Sequence, residues 1–147
     1  MKLKNEKLSK NFLIYGFGKS GISSLKYLKK KNRCFIFDDD KKKIKNKYKK
    51  FFISKSKLLN NNFDYIVISP GININRCQLS NYLKKNQKKV ITDFDIFYKF
   101  NPEVLTITIT GTNGKSTTSK LLYDILKKHH YDTRLTGNIG NPILEEK

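Results

Sequence analysis

The chain has 147 residues and a formal net charge of +19, enough length for one domain with a full core and the opening of a second. Only Arg33, Arg76 and Arg134 among the 31 basic residues are arginine and alanine is absent, the bias of an AT-rich genome, so no nucleic-acid partner is expected. Cys34 and Cys77 have neither C-x-x-C nor Cys/His spacing, which speaks against a zinc site or a disulfide framework, and the early apolar run at residues 12–17 is too short for a signal peptide or a membrane span, so a cytoplasmic protein is expected.

Residues 12–15 form the first predicted strand and run directly into Gly16-Phe17-Gly18-Lys19-Ser20-Gly21, after which Ile22, Leu25 and Leu28 mark one face of a helix. A G-x-G-x-x-G turn between strand and helix suits a diphosphate, because its glycines permit a tight turn and a close approach of backbone to ligand. The competing reading is a glycine turn that only packs a helix on a sheet. A second strand at residues 34–37 ends on Asp38, where a carboxylate can accept hydrogen bonds from ribose hydroxyls. Residues 41–50 place Ile44 and Tyr48 at helical i, i+4 spacing, with a solvated loop as the nearly equal alternative. A third strand at residues 65–69 ends on Ser69-Pro70-Gly71-Ile72, either a plain turn or a ligand contact at the strand ends of an open sheet. Leu79, Tyr82 and Leu83 mark the next helix face, Val90–Ile91 a short fourth strand, and residues 93–100 a short helix before the breaker Asn101-Pro102. Short apolar strands alternating with lysine-studded helices predict a parallel sheet covered on both faces, and residues 1–100 are read as that domain.

Residues 101–147 read as a second unit. Val104-Leu105-Thr106-Ile107-Thr108-Ile109 is rich in β-branched residues and predicts a buried strand, and Leu121, Leu122, Ile125 and Leu126 recur at helical spacing. Between them stands Thr110-Gly111-Thr112-Asn113-Gly114-Lys115-Ser116-Thr117. Gly111 and Gly114 let backbone N–H groups point at an anion, the helix adds its positive end, Lys115 can reach terminal phosphates and Ser116 can hold magnesium, which implies ATP or GTP. Ile109 takes the place of the first glycine of the ordinary G-x-x-x-x-G-K-[ST] pattern, so the loop is shorter. Another strand is expected at residues 133–136, and His129 and His130 are expected on the surface at the helix end. So few elements cannot cover both faces of a parallel sheet, and a portion of a longer enzyme is expected.

In their order, the Gly16–Gly18–Gly21 turn, Asp38, Ser69-Pro70-Gly71-Ile72, the segment at 93–97, the loop at 110–117 and Gly137-Asn138-Ile139-Gly140 resemble the ATP-dependent Mur ligases of peptidoglycan synthesis, and among them the D-glutamate-adding branch, over nearly the whole chain. The resemblance implies an α/β fold: a Rossmann-like parallel-sheet domain followed by the opening βα units of a P-loop ATPase domain. It implies ATP and Mg2+ as cofactors and UDP-N-acetylmuramoyl-L-alanine and D-glutamate as small-molecule substrates, joined through an acyl phosphate. Carried over by position, Gly18, Lys19, Ser20, Asp38, Asp39, Gly71 and Asn138 would face the UDP substrate. Gly111, Thr112, Asn113, Gly114, Lys115, Ser116 and Thr117 would bind ATP, with Lys115 and Ser116 catalytic and Ser116 the magnesium ligand. Lys19 stands where the family commonly has an apolar residue, and Asp39 and Asp40 where a hydroxyl and a basic residue often follow the aspartate. The family's later magnesium ligand, modified lysine, histidine and amino-acid domain have no counterpart before Lys147, so this chain alone is expected to be inactive, a separate chain being one source of the remainder. The alternative is a stand-alone dinucleotide-binding module of NAD type that uses only the first glycine turn.

Overall fold

Strand β1, Asn11–Tyr15, lies at the centre of the sheet in the computed structural model, which describes residues 9–40, 42, 44–137 and 139–146. It is followed by α1 (Lys19–Leu28), β2 (Arg33–Phe37), α2 (Lys55–Leu59), β3 (Tyr65–Ile68), α3 (Ser80–Lys85), β4 (Val90–Ile91), α4 (Asp93–Phe100) and α5 (Lys115–Lys128). The four strands are all parallel, in the order β2-β1-β3-β4. Ile14 stands opposite Ile36 on one side and Val67 on the other, so β1 is paired along both edges.

A strand covered on both faces must be apolar throughout rather than alternating, and β1 shows how two cores divide that content. Phe12 and Ile14 point to a core shared with Leu25 and Leu28 of α1, Ile36, Val67 and Ile96 of α4. Leu13 and Tyr15 point the other way, to Phe37, Leu58, Phe63, Ile66, Leu79 and Leu83. The chain leaves β1 for β2 on one side and reaches β3 on the other. That reversal of strand order opens a crevice beyond the carboxyl ends of β1 and β3.

Three expectations are corrected. Ile44 and Tyr48 are both buried, with Tyr48 in a 3-10 turn at Asn46–Phe51 that sets its ring edge-on to Phe17 at 5.0 Å, so residues 44–50 form no α-helix and these two side chains are packed rather than solvated. Lys41 and Lys43 lie outside the described residues. Residues 104–109 form no strand: Leu105 is 96% and Ile107 68% exposed. A β-branched run becomes a strand only by pairing, and among the described residues no strand lies beside it; Thr106 Oγ1 instead meets the Tyr98 hydroxyl at 2.8 Å. Residues 133–136 likewise contribute a single bridge, Thr136 to Asn141, rather than a strand. Of the expected opening of a P-loop ATPase domain, the helix α5 forms and the strands do not.

Beyond α5 the chain returns to the first core. A 3-10 turn at Ile143–Glu145 lies against α1 and α4, with Ile143 5% and Leu144 9% exposed among the residues around Ile14 and Ile96. Glu145 pairs with Lys26 of α1 at 2.8 Å. His129 and His130 are exposed, as expected. No helix among the described residues is long and apolar enough to cross a membrane.

Candidate nucleotide site

The carboxyl end of β1 turns at Gly16, whose φ of 89° is a left-handed conformation that disfavours any side chain. A Cβ there would also lie 2.9 Å from Ser69 Cβ and from Ile72 Cγ1. At Gly21 a Cβ would stand 2.1 Å from the Gly16 carbonyl oxygen, so this glycine permits the close seating of α1 on the turn. Gly18 differs, since a Cβ there would meet nothing within 4 Å. It is the N-cap of α1, and no side chain caps that end. The first N–H groups of a helix have no partner inside it, which leaves α1 presenting donors and a positive end toward the crevice.

Two other strand ends hold this turn in place. Asp38, at the end of β2, is 4% exposed. Its Oδ2 accepts from the Phe17 backbone N–H at 2.6 Å and its Oδ1 from that of Asp40 at 2.8 Å. Ser69, after β3, donates from Oγ to the Gly16 carbonyl at 2.6 Å, while its own N–H donates to the Tyr15 carbonyl at 3.0 Å. The glycine turn, Asp38 and Ser69 were separate signals along the chain; the sheet brings them to one crevice. Gly71 is exposed beside them, with open space where a Cβ would be.

Asp39 stands at the mouth, exposed. Its Oδ1 accepts from the Tyr15 hydroxyl at 2.7 Å and its Oδ2 from the Gln78 N–H at 3.4 Å. Burial pushes the Tyr15 phenol well above its ordinary pKa, and the bond to Asp39 and the neighbouring Cys77 add to the rise. Tyr15 is the member of this arrangement that sequence reasoning missed. A tyrosine closing a strand immediately before a glycine turn was the available signal, because a buried phenol needs a partner for its hydroxyl.

Lys19 and Ser20 open α1, and Lys19 lines a cleft of about 290 Å³ together with Ile22, Gly140, Asn141, Pro142 and Glu145. Asn138 lies outside the described residues. A second, more open hollow of about 730 Å³ is lined by Ser116, Thr117, Lys120, Leu121, Asp124, Leu135, Ile139 and Gly140. Gly140 borders both, so the segment before the tail joins the two predicted binding regions.

In the loop at 110–117, Gly114 caps α5 in a left-handed conformation, φ 74°, and Gly111 also has a positive φ. Lys115 Nζ donates to the Gly111 carbonyl and, at 3.0 Å, to that of Thr112. An ammonium resting on carbonyls of its own loop can exchange them for phosphate oxygens, and the first amides of α5 are open by helix geometry. These residues therefore fit an anion. Ser116 is exposed, and among the described residues no group of three or more His, Cys, Asp or Glu could hold a metal ion, so a magnesium ion here would rest on Ser116 and the nucleotide's own phosphates.

Residues 10–92 match the family described as Mur ligase MurD-like, N-terminal domain. The chain is 34% identical over 141 residues to the UDP-N-acetylmuramoylalanine--D-glutamate ligase of Rickettsia bellii (strain RML369-C), covering 93% of this chain and 31% of that protein. It is 32% identical over 151 residues to the ligase of the same name from Clostridioides difficile (strain 630), covering 92% of this chain and 32% of the relative. With the one from Aquifex aeolicus (strain VF5) the identity is 36% over 134 residues, 91% of this chain and 30% of the relative. The chain thus spans about a third of the length of these curated relatives.

Proposed function

The chain belongs to the Mur ligase family through its MurD-like amino-terminal domain, and from that premise we propose that it serves an ATP-dependent amide ligase that adds D-glutamate to UDP-N-acetylmuramoyl-L-alanine in peptidoglycan synthesis. The observation that carries this reading is the meeting of the glycine turn, Asp38 and Ser69 at one crevice, all within the matched domain. Residues 1–100 would hold the uridine diphosphate end of the acceptor, with the α1 amides at Gly18, Lys19 and Ser20 on the diphosphate and Asp39 and Gly71 at the nucleoside. Residues 101–147 would hold ATP, with Lys115 on its phosphates. Gly140 borders both hollows, and in this reading the acceptor's far end would approach the nucleotide beside it.

In the proposed reaction the acceptor carboxylate takes the γ-phosphoryl group, the amine of D-glutamate attacks the acyl phosphate, and ADP and phosphate leave. A magnesium ion, when bound at Ser116, supplies charge neutralisation to the transferring phosphoryl group. This chain's own contribution is alignment and charge: a helix end and Lys19 for the diphosphate, and Lys115 for the ATP phosphates. The 147 residues by themselves are expected to bind nucleotides and not to ligate; purified chain that releases phosphate only when both the acceptor and D-glutamate are present would overturn that expectation.

Calorimetric titration with UDP and with NADH tests the first half. Preference for UDP supports the ligase reading; tight NADH binding with none for UDP would replace it with a dinucleotide module. For the second half, Lys115→Ala should abolish measurable ATP binding with an unchanged melting temperature, because among the described residues the side chain bonds to its own loop alone. Unchanged ATP affinity would remove the phosphate-loop assignment.

A further inference from the structure

We propose that the amino end of the sheet, the pole opposite the crevice, docks on an anionic lipid bilayer, with its lysines on the headgroups and the rings of Tyr27 and Phe100 at the interface. Charge is divided between the two ends of the parallel sheet. Between residues 9 and 100 the acidic residues are Asp38, Asp39, Asp40, Asp64, Asp93 and Asp95. All but Asp64 follow the carboxyl ends of β2 and β4; Asp64 stands before β3, where its Oδ2 accepts the Asn11 N–H at 2.7 Å. The amino end is basic. Exposed Lys29, Lys30 and Lys31 lead from the end of α1 to Arg33 at the start of β2. Lys10 precedes β1, Lys88 and Lys89 precede β4, and Lys99 lies in the last turn of α4.

Short contacts join these segments into one surface. The Lys10 N–H donates to Asn32 Oδ1 at 3.2 Å and Lys89 Nζ to Asn62 Oδ1 at 2.8 Å. The ammonium groups of Lys10 and Lys99 each lie 5.4 Å from the centre of the Tyr65 ring, at the first residue of β3. A lysine-rich composition spreads cations along the whole chain and does not sort the acidic residues to one end. Helix dipoles favour a cation near each C-terminus, which accounts for Lys99; Lys10, Lys31, Arg33, Lys88 and Lys89 lie outside the α-helices. Two features select a bilayer among anionic partners. Tyr27, 36% exposed, and Phe100, 58% exposed, stand at the ends of α1 and α4 with ring centroids 5.8 Å apart, at the edge of the basic surface. Aromatic rings settle at the headgroup level of a bilayer, and lysine stems lie along apolar surface with the ammonium in water. The second feature is lysine itself: Arg33 is the one arginine at this end, and an anionic leaflet attracts lysines without the forked geometry by which guanidinium groups hold nucleic acid or carboxylates. The docked domain stands on its amino end, and the crevice opens away from the bilayer into solution.

Flotation of the full 147-residue chain with vesicles, at physiological salt, tests this. The chain should float with equimolar phosphatidylglycerol and phosphatidylcholine and stay in solution with phosphatidylcholine alone. Replacing Lys30 and Lys31 together by glutamine should weaken binding to the mixed vesicles about tenfold, whereas the same double replacement of Lys127 and Lys128 on α5 should leave it close to wild type. Equal losses from the two pairs would show attraction to the net charge alone and overturn the assignment, as would a wild-type chain that ignores the mixed vesicles. The chain has no tryptophan, so Phe100→Trp and Ile74→Trp each supply a single reporter, the second in the loop after β3 at the carboxyl end, where Ile74 is 37% exposed. Phe100→Trp emission should shift to the blue on the mixed vesicles and Ile74→Trp emission should not. The opposite pattern would place the contact at the crevice end. Duplex DNA that displaces the vesicles and depends on Lys30 and Lys31, with Phe100→Trp unshifted on lipid, would make this end a nucleic-acid surface instead. Thermal melts confirm that each variant is folded.

Discussion

A carboxylate can sit 4% exposed at position 38 because both of its oxygens meet backbone N–H groups; burying it without such partners would be far more costly. Its removal leaves those donors without their acceptor, so Asp38→Ala should lower stability by about 1–3 kcal/mol, read from the urea midpoint, and an unshifted midpoint would refute the fastening role. Cys34 illustrates burial without a charge partner. Burial pushes its thiol up to about 11 from an ordinary 9.0, against the opposing charge of Lys29. The folded chain therefore keeps the proton where the unfolded chain loses it. The stability this contributes is fully present below pH 9, falls as pH rises above it, and is gone above about 11. Across that window Cys34→Ala should lose less stability than wild type; parallel curves would show that the thiol titrates alike in both states.

Within the β1–α1 unit, the three glycines of one motif face different demands. Gly21→Ala drives a Cβ to 2.1 Å from the Gly16 carbonyl, backbone against backbone, whereas Gly18→Ala meets open space. Gly21→Ala should therefore cost several kcal/mol, on the scale of overpacking and backbone strain, while Gly18→Ala should melt near wild type and lose affinity for UDP. Equal melts for the two variants would deny the close seating of α1. The apolar runs at β1, β2 and β3 were legible because each is buried on both faces, and the end of α4 was legible in the breaker Asn101-Pro102, while the reciprocal cap of Thr92 and Asp95 at its start is seen in the structure. Residues 104–109 carry the same kind of composition as β1 and form no strand, since pairing is a property of two segments and composition of one. The crevice followed the same division. Its glycines and strand-end motifs could be read in order along the chain, but the Tyr15–Asp39 bond and the two amides on Asp38 depend on which strand ends the sheet sets side by side.

At the scale of the whole molecule, residues 143–146 tie the end of the described chain to its beginning. Ile143 and Leu144 enter the core formed by β1, α1 and α4, while the neighbouring Lys26–Glu145 pair, 2.8 Å long, stays on the surface. Burial and charge make separable predictions here. Truncating a buried isoleucine removes apolar contact and leaves a cavity, so Ile143→Ala should destabilise the chain by about 2–5 kcal/mol. The exposed ion pair is screened by solvent and holds two flexible side chains in one geometry, so Glu145→Gln should leave the urea midpoint close to wild type at physiological salt. The consequence reaches the site, because Gly140, Asn141, Pro142 and Glu145 face Lys19 across the cleft and owe their position to this anchor. Ile143→Ala should accordingly weaken UDP binding even at temperatures where the sheet remains folded, and far-UV circular dichroism recorded with the titration separates that loss from unfolding. If Ile143→Ala keeps the wild-type urea midpoint and UDP affinity while Glu145→Gln loses both, the ion pair rather than the apolar anchor sets the cleft.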